Sequence, residues 1–364
     1  MSVIIFIIIL ALLIIVHEYG HFIVAKKGGI RVDEFGLGYP PKAKTLFRHN
    51  GTNFTLNWLP FGGFVKIFGE NPDDESLKGA DKDRAFISKP RWLQALVLFA
   101  GPFMNFLFAW IIILVSLWVG LPTGIDEKMD QRFISEQTTI ITQVLPNSPA
   151  EIMGLESGDI ISGLIVGSES FDNIDSEKLR DLVISNPDET FYLKYKRGSE
   201  ESSATLIPAD FSGEGKFLGL GISNFGIYKP NLWRGFVDSF KFTGAMIAGI
   251  SVALFDLIKG IFTGGADISG LTGPIGIVGL VGDASRQGLI YILSFAAIIS
   301  INLGVINLIP FPALDGGRLL FLLIEKLKGG RVNYKVLNWV NFIGFSLLIL
   351  LMLFVSYKDI LKLT

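Results

Sequence analysis

Cysteine is absent from this 364-residue chain. That excludes disulfides and every thiolate metal site, and it leaves redox chemistry silent about the compartment. Charge is scarce as well. Asp, Glu, Lys and Arg make up 18% of the residues, whereas 50% are hydrophobic. With a mean hydropathy of +0.49, the chain is too apolar for an ordinary soluble protein, and several membrane spans with a polar domain are expected. The net charge of −2 offers no basic field for nucleic acid. Histidine is sparse, three residues in all, yet two of them stand four apart inside the first long apolar run.

That pair is His17-Glu18-Tyr19-Gly20-His21, preceded by unbroken aliphatics and Phe from Ile4 to Val16. A helix puts residues i and i+4 on one face, so His17 and His21 can hold one zinc ion together. Glu18 falls beside them, placed to take a proton from water at that ion. Two histidines and a glutamate in a membrane-length segment cost a few kcal/mol to insert, so the default reading is functional. The bland alternatives are a chance match or a histidine pair bonded to a neighbouring helix. A secretory signal fits this N-terminus poorly, because no Lys or Arg precedes the run and no small-x-small site ends it before Lys26-Lys27.

Four spans are expected, at residues 3–25, 93–121, 288–309 and 336–357, each near the 17–25 apolar residues a bilayer requires. The 26–92 segment is rich in Lys and Arg, and so is the loop from Arg318 to Lys335. By the positive-inside rule both face the cytoplasm, and the N-terminus, the long central region and the C-terminus lie outside. Lys358 and Lys362 run slightly against this. Residues 229–265 carry Arg234, Asp238 and Lys241 on one helical face before an apolar run of only 14 residues, Phe242–Phe255. That pattern suits an interfacial amphipathic helix on the outer surface. Parity agrees, since a fifth span there would separate Asp315 from His17.

Residues 137–222 read as a small α+β module. Ile140–Val144 alternates as a strand, Ser176–Ser185 as an amphipathic helix, and Phe191–Lys196 with Ser203–Ile207 as a hairpin turning at Arg197-Gly198. Residues Phe35–Phe68 have no helical period. They read as a β-hairpin that dips toward the membrane site, where irregular backbone must line a cavity.

A catalytic zinc needs three protein ligands and one open position. His49 lies in the polar loop and reads as a surface residue. The better third ligand is Asp315, in Asn307-x-x-Pro310-x-Pro312-x-Leu314-Asp315-Gly316-Gly317. The prolines break the helix and the glycines free the backbone, so the carboxylate can turn toward a neighbour. The other reading of Asp315 is a cap on the helix that begins at Arg318. Depth favours the ligand reading. With a 1.5 Å rise, His17 lies roughly 20 Å below a helix start near Val3, on the side where the third span emerges.

Taken in order, these motifs resemble the site-2 protease family of intramembrane zinc metalloproteases, in particular the bacterial regulator-of-sigma-E protease (RseP) branch. The features are His-Glu-x-x-His in span one, Gly101-Pro102-x-x-Asn105 in span two, a PDZ-like module, Gly273-Pro274-Ile275-Gly276 before span three, and the Asn307–Asp315 stretch. The resemblance implies a polytopic α-helical membrane protein with a re-entrant β-hairpin and one extracytoplasmic PDZ-like domain. It implies zinc on His17, His21 and Asp315, with Glu18 as general base, and substrate contacts at Asn307 and in the Gly36-Leu37-Gly38 segment. The expected substrates are transmembrane segments of single-span proteins in the bacterial plasma membrane, pre-trimmed by another protease, such as anti-sigma factors or remnant signal peptides. Some members carry two PDZ modules, and this chain has room for one. Gly219-Leu220-Gly221-Ile222 reads as either a carboxylate-binding loop or an ordinary strand edge. Gly101 and Asn105 read as helix-packing devices, and Arg318 as structural, since arginine cannot ligate zinc.

The rival readings explain less. A membrane scaffold that binds chain termini through the module needs neither Glu18 nor a ligand set. A secreted metallopeptidase would lose its motif with the first run. A zinc transporter would want acidic residues along several spans, and spans two and four have none.

Overall fold

The computed structural model describes residues 2–70, 78–125, 129–172, 174, 176–198, 200–210, 215–265 and 272–363. It divides into two compact units, Met1–Ser116 with Phe236–Thr364, and Leu117–Gly235.

The first unit opens on helix α1 (Ser2–Lys27), which ends with Lys26 and Lys27 in its last turn, where cations suit the negative end of the helix dipole. Two long strands follow, β1 (Val32–His49) and β2 (Thr52–Ile67). Each bends, so that together they lay down four rungs. Phe35 pairs with Val65 on one side and with Phe54 on the other, and Thr55 pairs with both Gly36 and Thr45. The order across the sheet is therefore the second half of β1, the first half of β2, the first half of β1, and then Gly63–Ile67 at the margin. Phe22, one residue past His21, packs edge-to-face on Phe35 and Phe54 at 5.6 and 5.7 Å and so ties the sheet to α1. Helix α2 (Arg91–Val119) comes next, with Pro102 inside it.

The second unit is a seven-stranded antiparallel sheet. Its strands are β3 (Leu121–Gly124), β4 (Ile134–Val144), β5 (Ile160–Val166), β6 (Glu169–Phe171), β7 (Phe191–Arg197), β8 (Glu200–Leu206) and β9 (Leu220–Tyr228). The order is β3-β9-β4-β5-β7-β8, with β6 beside β5. Two short helices join them, α3 (Pro149–Ile152) and α4 (Ser176–Ser185). Ser148 caps α3 by accepting the Glu151 N–H at 3.2 Å. The core is mostly aliphatic, with Phe191 and Tyr195 as its buried aromatics. Ile141, Leu164, Phe191, Leu193 and Leu206 are fully buried, and Leu179 and Val183 of α4 close over them. The alternation that marked β7 and β8 in the sequence is the in–out alternation of this core. Leu220 and Gly221 pair with Val144 and Gln143, so Leu220–Ile222 forms the start of strand β9, and Gly219 with φ +78° stands just before it.

The chain then returns to the first unit. Helix α5 (Leu232–Thr263) runs unbroken for 32 residues. Short helix α6 (Pro274–Gln287) follows, then α7 (Leu289–Leu308), α8 (Asp315–Lys328) and α9 (Tyr334–Leu363). The Gly273–Gly276 motif opens α6 and has no side-chain cap of its own. Asp359 of α9 supplies one, accepting the N–H groups of Gly273 and Gly276 at 3.1 and 2.8 Å. Among the described residues five helices are long and apolar enough to cross a membrane: α1, α2, α5, α7 and α9. The sequence reading expected four, with the α5 segment on the surface. Continuous helix formation lengthens that segment beyond its 14-residue apolar run. At its start, Trp110 of α2 donates to Ser239 Oγ at 2.9 Å and packs on Phe240 at 4.7 Å.

An ion pair between a buried carboxylate and an exposed arginine ties two parts of the second unit together. Asp159 is 1% exposed and receives both Nε and Nη2 of Arg197 at 2.7 Å, plus the Glu156 N–H at 2.9 Å. Burial alone would push its carboxyl up. The Arg197 fork and the Glu156 N–H outweigh burial and hold it below the ordinary carboxylate range. Its contribution to stability is therefore present above the unfolded value near ~4 and is lost as pH falls through the folded one. Asp159→Asn is expected to cost about 1–3 kcal/mol at neutral pH, and the gap to wild type should narrow from pH ~4 downward. Hydrogen exchange at the amides of β5 and β7 in the full chain measures it. A pH-independent gap would show that the charge is not the cause.

Candidate active site

Helix α1 presents His17, Glu18 and His21, and α8 presents Asp315 as its first residue. The loop before α8 turns the carboxylate back toward α1. His17 Nε2 and His21 Nε2 lie 3.2 Å apart. Asp315 Oδ2 lies 3.2 Å from the first and 3.4 Å from the second. That oxygen is buried and has no hydrogen-bond partner. His21 is 7% exposed and donates Nδ1–H to the Val97 carbonyl at 2.8 Å. Its Nε2 lone pair is thereby aimed inward.

The site opens on a cavity of about 360 Å³. His17, Glu18 and His21 form one wall, Asn307 of α7 and Asp315 another, and Tyr39 with Gly62–Val65 of the sheet a third. Asn307 itself donates to the Leu303 carbonyl one turn back at 3.0 Å. Gly36 and Gly38 do not line this cavity. They belong to the first half of β1, which is paired on both sides (Gly36 with Phe64 and with Thr55), so no further strand can add there. The strand at the margin and against Glu18 is Gly63–Ile67. A Cβ built at Gly63 would lie 3.7 Å from Glu18 Cγ. His49 is exposed at the far end of β1.

The model for peptidase family M50 matches residues 5–351. The chain belongs to this family. It is 36% identical over 350 residues to a Clostridium perfringens protein named as a zinc metalloprotease, covering 96% of this chain and 95% of that one. It is 29% identical over 444 residues to the regulator of sigma-W protease RasP of Bacillus subtilis, covering 100% and 99%. It is 33% identical over 361 residues to the chloroplastic membrane metalloprotease ARASP of Arabidopsis thaliana, covering 98% and 78%. This M50 chain is a site-2-type membrane metalloprotease, and its cofactor is zinc.

The residues on hand fit that ion. A tetrahedral zinc with bonds of about 2.0–2.1 Å separates its ligand atoms by roughly 3.3 Å, and the three donors already form a triangle with sides of 3.2, 3.2 and 3.4 Å. Lone pairs converging this closely repel unless a proton or a metal cation lies between them. Room for one is kept by Gly101 of α2, where a Cβ would lie 2.3 Å from His21 Nε2 and 2.8 Å from His17 Nε2. Gly20, inside the motif, allows this approach. Its own Cβ would meet the Ala100 carbonyl at 2.2 Å, so α1 and α2 cross in near backbone contact there.

Asn105 does more than the packing expected of it. It is fully buried, and its side-chain amide lies 3.2 Å from His17 Nδ1, while its Oδ1 has no partner. With the amide turned over, Oδ1 accepts His17 Nδ1–H and leaves Nε2 free for the ion, the orientation that a metal-binding imidazole requires. Ser300 of α7 fixes the same residue by donating to its backbone carbonyl at 2.8 Å. The sequence signal was an amide one helical turn past Gly101 in an otherwise apolar span. Asn105→Leu is expected to weaken zinc by about 10–100-fold, read as metal retained against a graded chelator. Unchanged retention would return Asn105 to a packing role.

Proposed function

We propose that His17, His21 and Asp315 hold the zinc, that Glu18 is the general base, and that the enzyme hydrolyses peptide bonds inside transmembrane segments of single-span proteins. The observation that carries this reading is the meeting, in one cavity, of three donors and a carboxylate with the sheet margin Gly63–Ile67, which has no further strand partner among the described residues.

Zinc supplies a Lewis acid that acidifies water and polarises the scissile carbonyl. Glu18 takes the proton of the attacking water and hands it to the departing amine nitrogen. A transmembrane helix hides its peptide bonds in its own hydrogen bonds, so it must unwind first. The margin Gly63–Ile67 can hold the unwound stretch by strand addition, and Gly36 and Gly38 support that strand from the neighbouring rung. Asn307 contacts the held strand from the opposite wall.

The basic 26–92 segment and the Arg318–Lys335 loop favour a cytoplasmic position for the active-site end of the membrane unit, in the bacterial plasma membrane. With α5 on the outer surface, parity leaves residues 117–235 outside as the PDZ-like domain. That domain would admit substrates whose outer parts another protease has removed. The name of the Bacillus relative, a regulator of sigma-W protease, favours membrane-anchored anti-sigma factors. Remnant signal peptides are the other class of single-span substrate.

The test is cleavage of a tagged single-span substrate in membranes. Glu18→Gln should keep zinc and lose activity by about 10²–10⁴-fold. Equal cleavage by both proteins would overturn the assignment. No cleavage by zinc-loaded wild type across substrates lacking an outer domain would favour a scaffold.

A further inference from the structure

Two residues before Asp315, Ala313 adopts φ +73°, a left-handed conformation that alanine avoids. Leu314 N–H donates to the Phe311 carbonyl at 3.2 Å, closing a turn with Pro312 second and Ala313 third. Proline in second place and positive φ in third mark a type II turn, whose third place normally belongs to glycine or asparagine. Type I and type II turns differ chiefly by a flip of the central peptide, here the one joining Pro312 to Ala313. With alanine in third place the type I form is the easier one, so a group outside the turn must select the other.

Helix α9 provides that group. Asn341 Oδ1 accepts the Ala313 N–H at 3.2 Å, which is the N–H of the central peptide. One turn further, Gly344 seats Pro312. A Cβ there would lie 2.5 Å from Pro312 Cβ and 2.7 Å from its carbonyl oxygen. The helix thus grips both residues of the flipped peptide from positions i and i+3. Asn341 is moreover a polar amide in a membrane-length apolar helix, where such groups are retained for a purpose.

We infer that Asn341 is a positioning residue for the metal centre, holding the Pro312–Ala313 peptide in the flip that delivers Asp315 to His17 and His21. The inference rests on Asp315 being a zinc ligand. The turn leads through Leu314 directly into α8, whose first residue is Asp315, so the direction in which the chain leaves the turn sets where the carboxylate starts. Asn341 touches no reacting group, and its effect passes entirely through the backbone of the turn.

The experiment compares Asn341→Leu, the double variant Asn341→Leu with Ala313→Gly, and Asp315→Asn. All are full-length protein in lipid nanodiscs. The readouts are zinc retention against graded chelators, the cobalt(II) absorption spectrum, and kcat and KM for a single-span substrate. Asn341→Leu is expected to weaken zinc by about 10–100-fold, to alter the cobalt spectrum and to lower kcat with KM unchanged. Glycine at 313 adopts positive φ without help, so the double variant should recover metal and kcat. A packing defect at Asn341 would not be cured that way. Wild-type zinc affinity in Asn341→Leu overturns the inference, as does a folded double variant that still lacks zinc. If Asn341→Leu alone fails to fold, a folded, zinc-binding double variant upholds the inference and an unfolded one overturns it. Asp315→Asn separates the two levels. If it keeps zinc, the ligand assignment falls and this inference with it. If it loses zinc while Asn341→Leu keeps it, only the role of Asn341 falls.

Discussion

Three buried metal-binding donors that converge on one point are the constraint around which the membrane unit is organised. Two imidazole nitrogens and a carboxylate oxygen stand 3.2–3.4 Å apart where water is scarce. Left alone, such a cluster is among the costlier things a chain can bury. A divalent cation turns the cost into binding energy, provided each lone pair is already aimed. Val97 and Asn105 serve the aiming, from the backbone and a side chain of α2. Gly101 keeps a Cβ out of the space where the ion must lie, and Gly20 lets α1 approach the α2 backbone at Ala100.

The sheet answers a second requirement. A protease acting on helices must offer the unwound substrate new hydrogen bonds in exchange for those it loses, and in an apolar medium that exchange cannot be left to water. Two bent strands produce four rungs, and the last rung, Gly63–Ile67, lines the cavity beside Glu18 and has no further strand partner among the described residues. Phe22 locks the sheet to the helix that carries the histidines, so the strand margin and the metal centre share one frame.

The unit of residues 117–235 obeys the rules of a soluble domain. It has a largely aliphatic core, alternating strands and a buried Asp159 held by Arg197. Its polar surface and short elements contrast with the long apolar helices of the other unit, and that contrast was plain in composition.

Much of the function was legible because its signals are local. A four-residue spacing puts two histidines on one helical face whatever the rest of the chain does, and a run of some twenty apolar residues crosses a bilayer for the same kind of reason. The strands of the second unit were readable through their period of two. Asp315 could be nominated from its setting of prolines and glycines, but nothing local tells a ligand from a helix cap. Only tertiary structure brings it across nearly three hundred residues to His17. The same holds for the strand margin. Glycine spacing drew attention to Gly36 and Gly38, whereas pairing across the sheet leaves Gly63–Ile67 with no further strand partner among the described residues. Asn105, read in sequence as a packing residue, became a partner of His17 once α1 and α2 crossed. What the sequence by itself determined was the chemistry and the elements that carry it, since both depend on neighbours along the chain. Which atoms converge, and which backbone edge stays open, was decided by helix crossings and strand order, contacts between distant residues that no local pattern encodes.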